Sequence, residues 1–182
     1  TRRSSDLGVE YAQAYRAKLL RRTNQDTKFV FLDFIQSENI QTLTQNIGFE
    51  DQEVIWLYQY FSDISIAPTT YTLDDIEREL GHDISFRERN GKIVRLYFNG
   101  KSSFVTCYLQ NEQKDIVDRA EFVINSMLVR KDFYSYTRIF SEYYAPADNK
   151  AKLYMRQFYN EDGSIAYNEY IDGDSSIYVF ED

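Results

Sequence analysis

Cysteine, histidine, proline and long apolar runs are all scarce in this chain of 182 residues. A single cysteine, Cys107, excludes a disulfide within the chain and any four-cysteine metal site, and its place in a predicted strand favours a buried, inert thiol. The single histidine, His82, has no cysteine partner for a zinc site, and its place before a predicted strand favours a turn or surface role. No apolar run approaches the roughly 18 residues of a membrane helix, and no signal-peptide pattern opens the chain. We therefore expect a cytoplasmic protein without a metal site.

Positive charge is also in deficit, since the formal net charge is −8 and the pI is about 4.8. An acidic protein repels phosphate backbones, so nucleic acid is a poor candidate partner. The acidic tripeptide Asp172-Gly173-Asp174 has metal-motif spacing, but it lies between two predicted strands, where Asp-Gly is ordinary hairpin chemistry. No pair of carboxylates is placed convincingly for acid/base catalysis, and no nucleophile has an activating context.

Aromatic residues are abundant instead, with 16 Tyr and 13 Phe. Tyrosine combines a large apolar ring with a polar tip, which suits half-buried sheet faces and binding surfaces.

The N-terminal part predicts half of an α/β unit. Residues 9–22 have helical periodicity, with Tyr11, Tyr15 and Leu19 on one apolar stripe. The run 29–34 lacks alternation, which indicates a strand buried on both faces, as in parallel sheets. Residues 39–46, 51–62 and 73–80 are predicted to be helical, and Thr72 with Asp75 forms a box-like N-cap for the last.

From about residue 82 the apolar period changes to two. Asn90-Gly91, Asn99-Gly100, Asp162-Gly163 and Asp172-Gly173 predict tight turns, and Arg130-Lys131-Asp132 predicts another. Strands separated only by short turns pair with their neighbours, so the chain predicts an up-and-down antiparallel meander in an α+β fold. The predicted strands are 93–98, 103–109, 119–129, 133–143, 151–159, 164–171 and 176–180.

Neither face of this predicted sheet is uniformly polar. One face is expected to pack on the helices of residues 37–80, and the other either presents tyrosines to a partner or is covered within the chain. The tyrosines predicted for a partner or acceptor surface are Tyr134, Tyr136, Tyr143, Tyr154 and Tyr167.

One segment has the character of a ligand site, namely Gly8-Val9-Glu10-Tyr11 at the start of the first helix. A glycine there allows close backbone approach, and the free N–H groups of a first helical turn bind anions such as phosphate. An ordinary helix start is the alternative, and the pattern alone does not separate the two.

Six stretches of the chain carry a similarity to a known family, and together they extend over nearly the whole chain. They are residues 8–16 (GVEYAQAYR), 29–33, 46–49, 55–58 (IWLY), 66–69 (IAPT) and 158–167 (FYNEDGSIAY). These stretches closely resemble the accessory-Sec glycosyltransferase A subunits, the GtfA-type proteins of streptococci and their relatives.

The resemblance implies a GT-B enzyme of two Rossmann-like domains with an extended β-sheet domain inserted in the first. Residues 1–36 would be a fragment of the Rossmann-like domain, residues 37–182 the inserted domain, and Gly8, Val9, Glu10 and Tyr11 UDP contacts. The family transfers N-acetylglucosamine from UDP-GlcNAc to Ser/Thr of serine-rich repeat adhesins. It works with a catalytically silent B subunit, in a complex that can associate peripherally with the membrane.

Two departures from the family pattern predict that this chain alone is not an enzyme. Asp6-Leu7 separate Ser4-Ser5 from Gly8, where the family pattern is continuous, and the second Rossmann-like domain with its paired glutamates is absent from the sequence. We therefore expect partner and acceptor binding, and no resident cofactor. The alternative is a free-standing, non-catalytic meander that binds peptide or glycan; a complete small hydrolase has no residue constellation behind it.

Overall fold

The computed structural model describes residues 7–81, 84–98, 102–148 and 150–181. The chain divides into two compact units. The first comprises residues 1–61 and 65–68, and the second comprises residues 62–64 and 69–182. The boundary after residue 36, which rests on the family resemblance, stays a prediction.

The first unit pairs two short parallel strands beside two helices. Its elements are α1 (Leu7–Arg22), β1 (Phe29–Phe31), α2 (Ile40–Ile47), a 3₁₀ turn (Asp51–Glu53) and β2 (Val54–Trp56). The predicted first helix is confirmed, and so is the parallel strand, since Phe29 pairs with Val54 and Phe31 with Trp56. The prediction that this strand is buried on both faces is wrong, because Val30 is exposed.

The predicted helix over residues 51–62 is also wrong, because β2 occupies part of it. Val54, Ile55 and Trp56 are β-branched or aromatic, and pairing with β1 gives their backbone groups ladder partners. The indole Nε1 of Trp56 donates to the carbonyl oxygen of Asp33 at 2.9 Å, which fixes the ring beside the two strands.

Helix α1 is attached by a small-residue contact and one arginine. Ala14 and Ala17 are buried, whereas Tyr11, Tyr15 and Leu19, the apolar stripe of the sequence pattern, are exposed. Gly48 ends α2 at φ 118°, and a Cβ at that position would lie 3.8 Å from Ala14 Cβ. Arg21 completes the attachment with a hydrogen bond from Nη2 to the Gly48 carbonyl oxygen at 2.9 Å and an ion pair between Nε and Glu53 Oε1 at 2.9 Å.

The second unit is α3 (Leu73–Leu80) with a nine-stranded antiparallel sheet whose strands follow one another in chain order. The predicted meander is therefore confirmed. Turns at Asn90-Gly91 and at Gly163 and Gly173 occur where they were predicted, and all three glycines have positive φ; Asn99-Gly100 lies outside the described residues. The strands are β3 (Phe86–Asn90), β4 (Ile93–Tyr97), β5 (Phe104–Asn111), β6 (Ile116–Ile124), β7 (Met127–Tyr134), β8 (Arg138–Ala147), β9 (Lys150–Tyr159), β10 (Ile165–Asp172) and β11 (Ser175–Phe180).

The predicted turn at Arg130-Lys131-Asp132 is wrong, since these residues lie inside β7. The chain turns instead at Asn125 and Ser126, with φ of 49° and 63°, and again at residues 135–137. Asparagine tolerates the left-handed region, so residues 125–126 can form a two-residue hairpin turn without glycine. The three charged residues remain in the strand because each finds a charged partner across the sheet or beside it.

One face of the sheet packs against α3. Its core includes Ile76 from the helix and Leu96, Val105 and Cys107 from β4 and β5, all 0–1% exposed. Burial also raises the pKa of the Cys107 thiol to about 12, in agreement with the predicted inert cysteine. Helix α3 starts at the predicted cap, where the Thr72 and Asp75 side chains each bond the other residue's backbone N–H.

The opposite face carries a row of aromatic rings across five strands. The rings stack in register, with centroids 4.3 Å apart for the pair of β7 and β8 and for the pair of β9 and β10. Cross-strand aromatic pairs stabilise a sheet beyond the area that they bury. The row consists of Phe133, Phe140, Phe158, Tyr167 and Phe180.

Candidate functional site

The segment predicted to contact UDP forms the first turn of α1. Gly8, Val9 and Tyr11 are exposed, and a Cβ at Gly8 would meet no atom within 4 Å, so the backbone there is open to a ligand. The side chain of Glu10 lies outside the described residues. UDP contact through these four residues stays a prediction.

The five tyrosines predicted for a binding surface fall into three environments. Tyr134 and Tyr167 are each 2% exposed, so their prediction as surface residues is wrong. Tyr134 stacks on Tyr71 at 4.5 Å, and Tyr167 stacks on Phe158. Because Tyr134 belongs to the core beneath α3, its replacement by alanine is expected to destabilise the domain rather than weaken a surface contact.

The remaining three tyrosines are accessible. Tyr136 and Tyr143 are half-buried, and Tyr154 is 42% exposed. The hydroxyl of Tyr136 donates to the carboxylate of Glu161, and that of Tyr143 donates to Gln157 Oε1 at 3.2 Å. A surface role is therefore sterically open for Tyr136, Tyr143 and Tyr154, and it stays a prediction for each.

The strand β11 forms an open edge of the nine-stranded sheet. All six of its residues are exposed, and none of them is charged or proline. Such an edge offers unpaired N–H and C=O groups to an incoming strand. Four consecutive apolar side chains accompany them, Ile177, Tyr178, Val179 and Phe180, with exposures from 44% to 68%.

The opposite edge strand, β3, is equally exposed but has a different chemistry. Its sequence places Arg87, Glu88 and Arg89 in succession. Arg87 pairs with Glu77, and Arg89 Nη2 lies 2.7 Å from Asp115 Oδ1. Charged side chains along an edge oppose pairing with another strand. The two edges therefore differ, and only β11 is suited to sheet extension.

A row of charged side chains, which sequence reasoning did not find, runs beside the aromatic row. Arg156 donates from Nε to Glu142 Oε1 and from Nη1 to Glu169 Oε2, both at 2.9 Å. Glu142 also accepts from the Tyr144 hydroxyl at 2.6 Å, and burial together with this hydrogen bond raises the pKa of that phenol. Strand alternation put these residues on one face, but only the register brings the opposite charges together.

A second polar group lies on the face that carries α3. Ser141 Oγ donates to Asp132 Oδ1 at 2.6 Å, and the fully buried Asp132 lies between two arginines. Burial raises the pKa of Asp132, while Arg130, Ser141 and Arg138 act in the opposite direction. The register places Tyr143 beside Arg130 and Gln157 beside Ser141 on the same face. We call six residues of this face the Asp132 cluster: Arg130, Asp132, Arg138, Ser141, Tyr143 and Gln157.

The described residues offer few candidate metal ligands. No group of three or more His, Cys, Asp or Glu side chains among the described residues could hold an ion. Asp172 and Asp174 flank Gly173 in the β10–β11 turn, and His82 lies outside the described residues. No helix in the described ranges is long and apolar enough to cross a membrane.

Two kinds of comparison identify relatives of known activity. The chain is 53% identical over 176 residues to the UDP-N-acetylglucosamine–peptide N-acetylglucosaminyltransferase GtfA subunit of Streptococcus pneumoniae. It is 52% identical to the GtfA subunit of Streptococcus gordonii and 41% identical to that of Limosilactobacillus reuteri. Each alignment covers 96% of this chain but only 35% of the relative, so the chain spans about a third of these proteins.

Comparison with solved structures finds the same family as comparison of sequences. A crystal structure of the pneumococcal O-GlcNAc transferase GtfA with UDP and GlcNAc superposes with a TM-score of 0.91 at 52% identity, and a GtfA/B complex with 0.90 at 51%. Both matches cover 96% of this chain and 35% of the other. The family model of the GtfA extended β-sheet domain matches residues 86–182, which include all nine strands of the antiparallel sheet. The chain therefore belongs to the GtfA family of glycosyltransferase subunits.

Proposed function

We propose that this chain is the partner- and acceptor-binding part of a peptide O-GlcNAc transferase and is not catalytic alone. The observation that carries the proposal is the open, apolar and uncharged edge of β11, at the end of a sheet whose family model is the GtfA extended β-sheet domain. The partner is a catalytically silent B subunit, and the acceptor is a serine-rich repeat protein. A relative crystallised as a GtfA/B complex supports a partner of this kind.

The difference between the two sheet edges supports docking at β11. Addition of a strand from the partner would satisfy the unpaired backbone groups of β11 and cover its apolar side chains. The charges on β3 oppose the same event at the other edge. The sheet is therefore suited to extension in one direction only, which limits the assembly to one partner sheet for each chain.

The first unit has a role of its own in this proposal. Helix α1 and the parallel strand β1 have the chain order and pairing of half an α/β unit, as a fragment of a GT-B Rossmann-like domain would. Gly8, Val9, Glu10 and Tyr11 would then contact the UDP of the UDP-GlcNAc donor, with residues 1–36 as the Rossmann-like fragment. Residues 37–182 would be the inserted sheet domain of a cytoplasmic enzyme that associates peripherally with the membrane.

Charged substitutions on the β11 edge test the docking proposal. In the double variant Ile177→Lys with Val179→Lys, we expect the affinity for the B subunit of a GtfA/B complex to fall by about tenfold or more. When a partner strand pairs with β11, the two lysine ammonium groups must lose their water or turn away from the interface. The measurement is co-expression followed by size-exclusion chromatography with light scattering, and titration of the purified components for the affinity.

The control is Phe86→Lys on the opposite edge strand. Phe86 is also exposed, so a lysine at this position adds positive charge to the other edge of the sheet. We expect this variant to form the complex with unchanged affinity. A complex that survives the β11 changes, or that is lost equally in the control, would remove β11 as the docking edge.

A further inference from the structure

The negative charge of the chain is concentrated at the β11 end of the sheet. Residues 157–182, which contain β10 and β11, have seven Asp or Glu residues and no Lys or Arg. They account for −7 of the formal net charge of −8. Residues 86–115, which contain β3 to β5, have six Lys or Arg and three Asp or Glu. The two ends of the sheet therefore have opposite charge balances.

Three of these acids lie at the two ends of β11 itself. Asp172 and Asp174 lie in the turn before the strand, and Glu181 directly follows its last residue. All three are exposed, and none forms an ion pair with another residue of the described ranges. By contrast, Glu169 on the neighbouring strand is paired with Arg156 at 2.9 Å. The apolar, uncharged strand is thus bounded by negative charge at both ends.

The backbone of β11 limits how another strand can pair with it. The N–H of Glu181 donates to the carbonyl oxygen of Ala166 at 3.2 Å, which continues the β10–β11 register by one residue. Hydrogen-bonded and non-hydrogen-bonded residues alternate along an antiparallel strand, so the N–H and C=O groups of residues 176, 178 and 180 point away from β10. A strand that pairs with these groups has its ends beside Asp174 and Glu181.

The acidic ends of β11 disfavour pairing with a second copy of this chain. In an antiparallel pair centred on Tyr178, Glu181 of each copy lies opposite Ser175 of the other and next to its Asp174. Opposite residues of paired strands are about 5 Å apart, and like charges at that spacing are destabilising. This separation is shorter than the screening length of about 8 Å at physiological ionic strength. Self-pairing therefore brings acid against acid at both ends.

We propose that β11 selects a partner strand with an uncharged centre and basic residues at both ends, and that its acidic ends exclude a second copy of the chain. The occupant is a strand of the B subunit, so the inference rests on the proposed docking edge and adds the chemistry of the partner. Basic residues flanking that strand would lie beside Asp172, Asp174 and Glu181. Complementary charge favours the correct encounter and suppresses wrong partners. The apolar side chains of β11 alone would accept either strand.

Reversal of one acid tests the exclusion without any partner. In Glu181→Lys, antiparallel self-pairing places a lysine beside Asp174 of the other copy at both ends. We expect this variant to self-associate at least about tenfold more tightly than the parent chain, and the gain to disappear at high salt. The measurement is light scattering over a concentration series.

Two further variants control this experiment. Asp174→Lys combined with Glu181→Lys places lysine beside lysine, so it should self-associate no more than the parent does. Addition of Ile177→Lys and Val179→Lys to Glu181→Lys should abolish the association, which would locate it at β11. Equal melting temperatures would show that all variants are folded.

Titration with the B subunit of a GtfA/B complex tests the charge of the partner. For the parent chain we expect the affinity to fall by about tenfold or more between about 50 mM and about 500 mM NaCl. Asp174→Lys with Glu181→Lys should bind at least about tenfold more weakly at the lower salt concentration and lose most of the salt dependence. The matched control, Glu88→Lys with Glu112→Lys, makes the same change in net charge at exposed positions near β3, and it should bind as the parent does.

Three results would overturn the proposal. These are parent self-association as tight as that of Glu181→Lys, equal self-association of the single and double reversals, and an affinity for the B subunit that neither salt nor the double reversal lowers. Failure of the docking proposal has a different signature, in which the B subunit binds the Ile177→Lys and Val179→Lys variant as tightly as the parent. The self-association result does not depend on the B subunit, so the two failures can be told apart.

Discussion

Asp132 shows how far the environment of a single residue can depart from its sequence context. The triplet Arg130-Lys131-Asp132 predicts a solvated turn, yet Asp132 is fully buried in β7. Its carboxylate is tolerated because Ser141, Arg130 and Arg138 lie around it. A charge taken out of water needs partners of this kind, and the partners then depend on the charge.

Removal of the Asp132 carboxylate should destabilise the folded protein. For Asp132→Ala we expect the free energy of unfolding to fall by about 3 kcal/mol, because two partly buried guanidinium groups lose their counter-charge. Urea unfolding measures the difference. The matched control is Asp26→Ala, since the side chain of Asp26 is 87% exposed and its ion pair with Lys28 at 3.5 Å should contribute less than about 1 kcal/mol. Equal losses in the two variants would contradict the assignment of Asp132 as a buried centre.

At the scale of elements, the sequence predicted correctly those features that depend only on residues close together in the chain. The Thr72 and Asp75 pattern located the start of α3 because the cap is made within four residues. The turns with Asp-Gly and Asn-Gly were found for the same reason. The boundaries of β6, β7 and β8 were not predicted correctly. Asn125-Ser126 is a weak turn signal because it has no glycine, and the charged triplet Arg130-Lys131-Asp132 resembles a turn more closely.

The α3 cap gives a prediction for acid stability. The hydrogen bond from Thr72 lowers the pKa of Asp75 below its usual 3.8, so the stabilisation is complete above that pH and is lost as the pH falls through the lower, folded-state value. Thr72→Ala should cost about 1 kcal/mol at neutral pH and reduce the acid dependence. Urea unfolding at neutral pH and below pH 3.8 measures both. Asp75→Asn should behave similarly, and a variant with the parent's acid dependence would contradict this origin.

At the scale of the whole molecule, the two units differ in how much they bury. Helix α1 buries only Ala14 and Ala17 among its described side chains, whereas β8 and β9 lie inside the sheet with long ladders on both sides. Opening of α1 therefore exposes little apolar area, and its free energy of opening should be low.

Amide hydrogen exchange measures this difference. We expect the amides of residues 12–22 to exchange at least about tenfold faster than those of β8 and β9, since a lower opening free energy raises the exchange rate. The β4 and β5 amides beneath α3 provide the internal control and should be as slow as β8. Protection of α1 equal to that of the central strands would show that the first unit is more stable than its burial indicates.

The sequence by itself determined the period-two patterning, the glycine turns, the order of the strands and the family, because each of these depends on neighbours along the chain or on long matching stretches. The tertiary structure decided which tyrosines are buried, which edge of the sheet is open, and that Asp132 meets Arg138 and Ser141. Those outcomes depend on register and on bulges, and a shift of one residue in a strand moves every side chain to the other face. The local pattern fixes that a sheet forms, and only the assembled sheet fixes what each face presents.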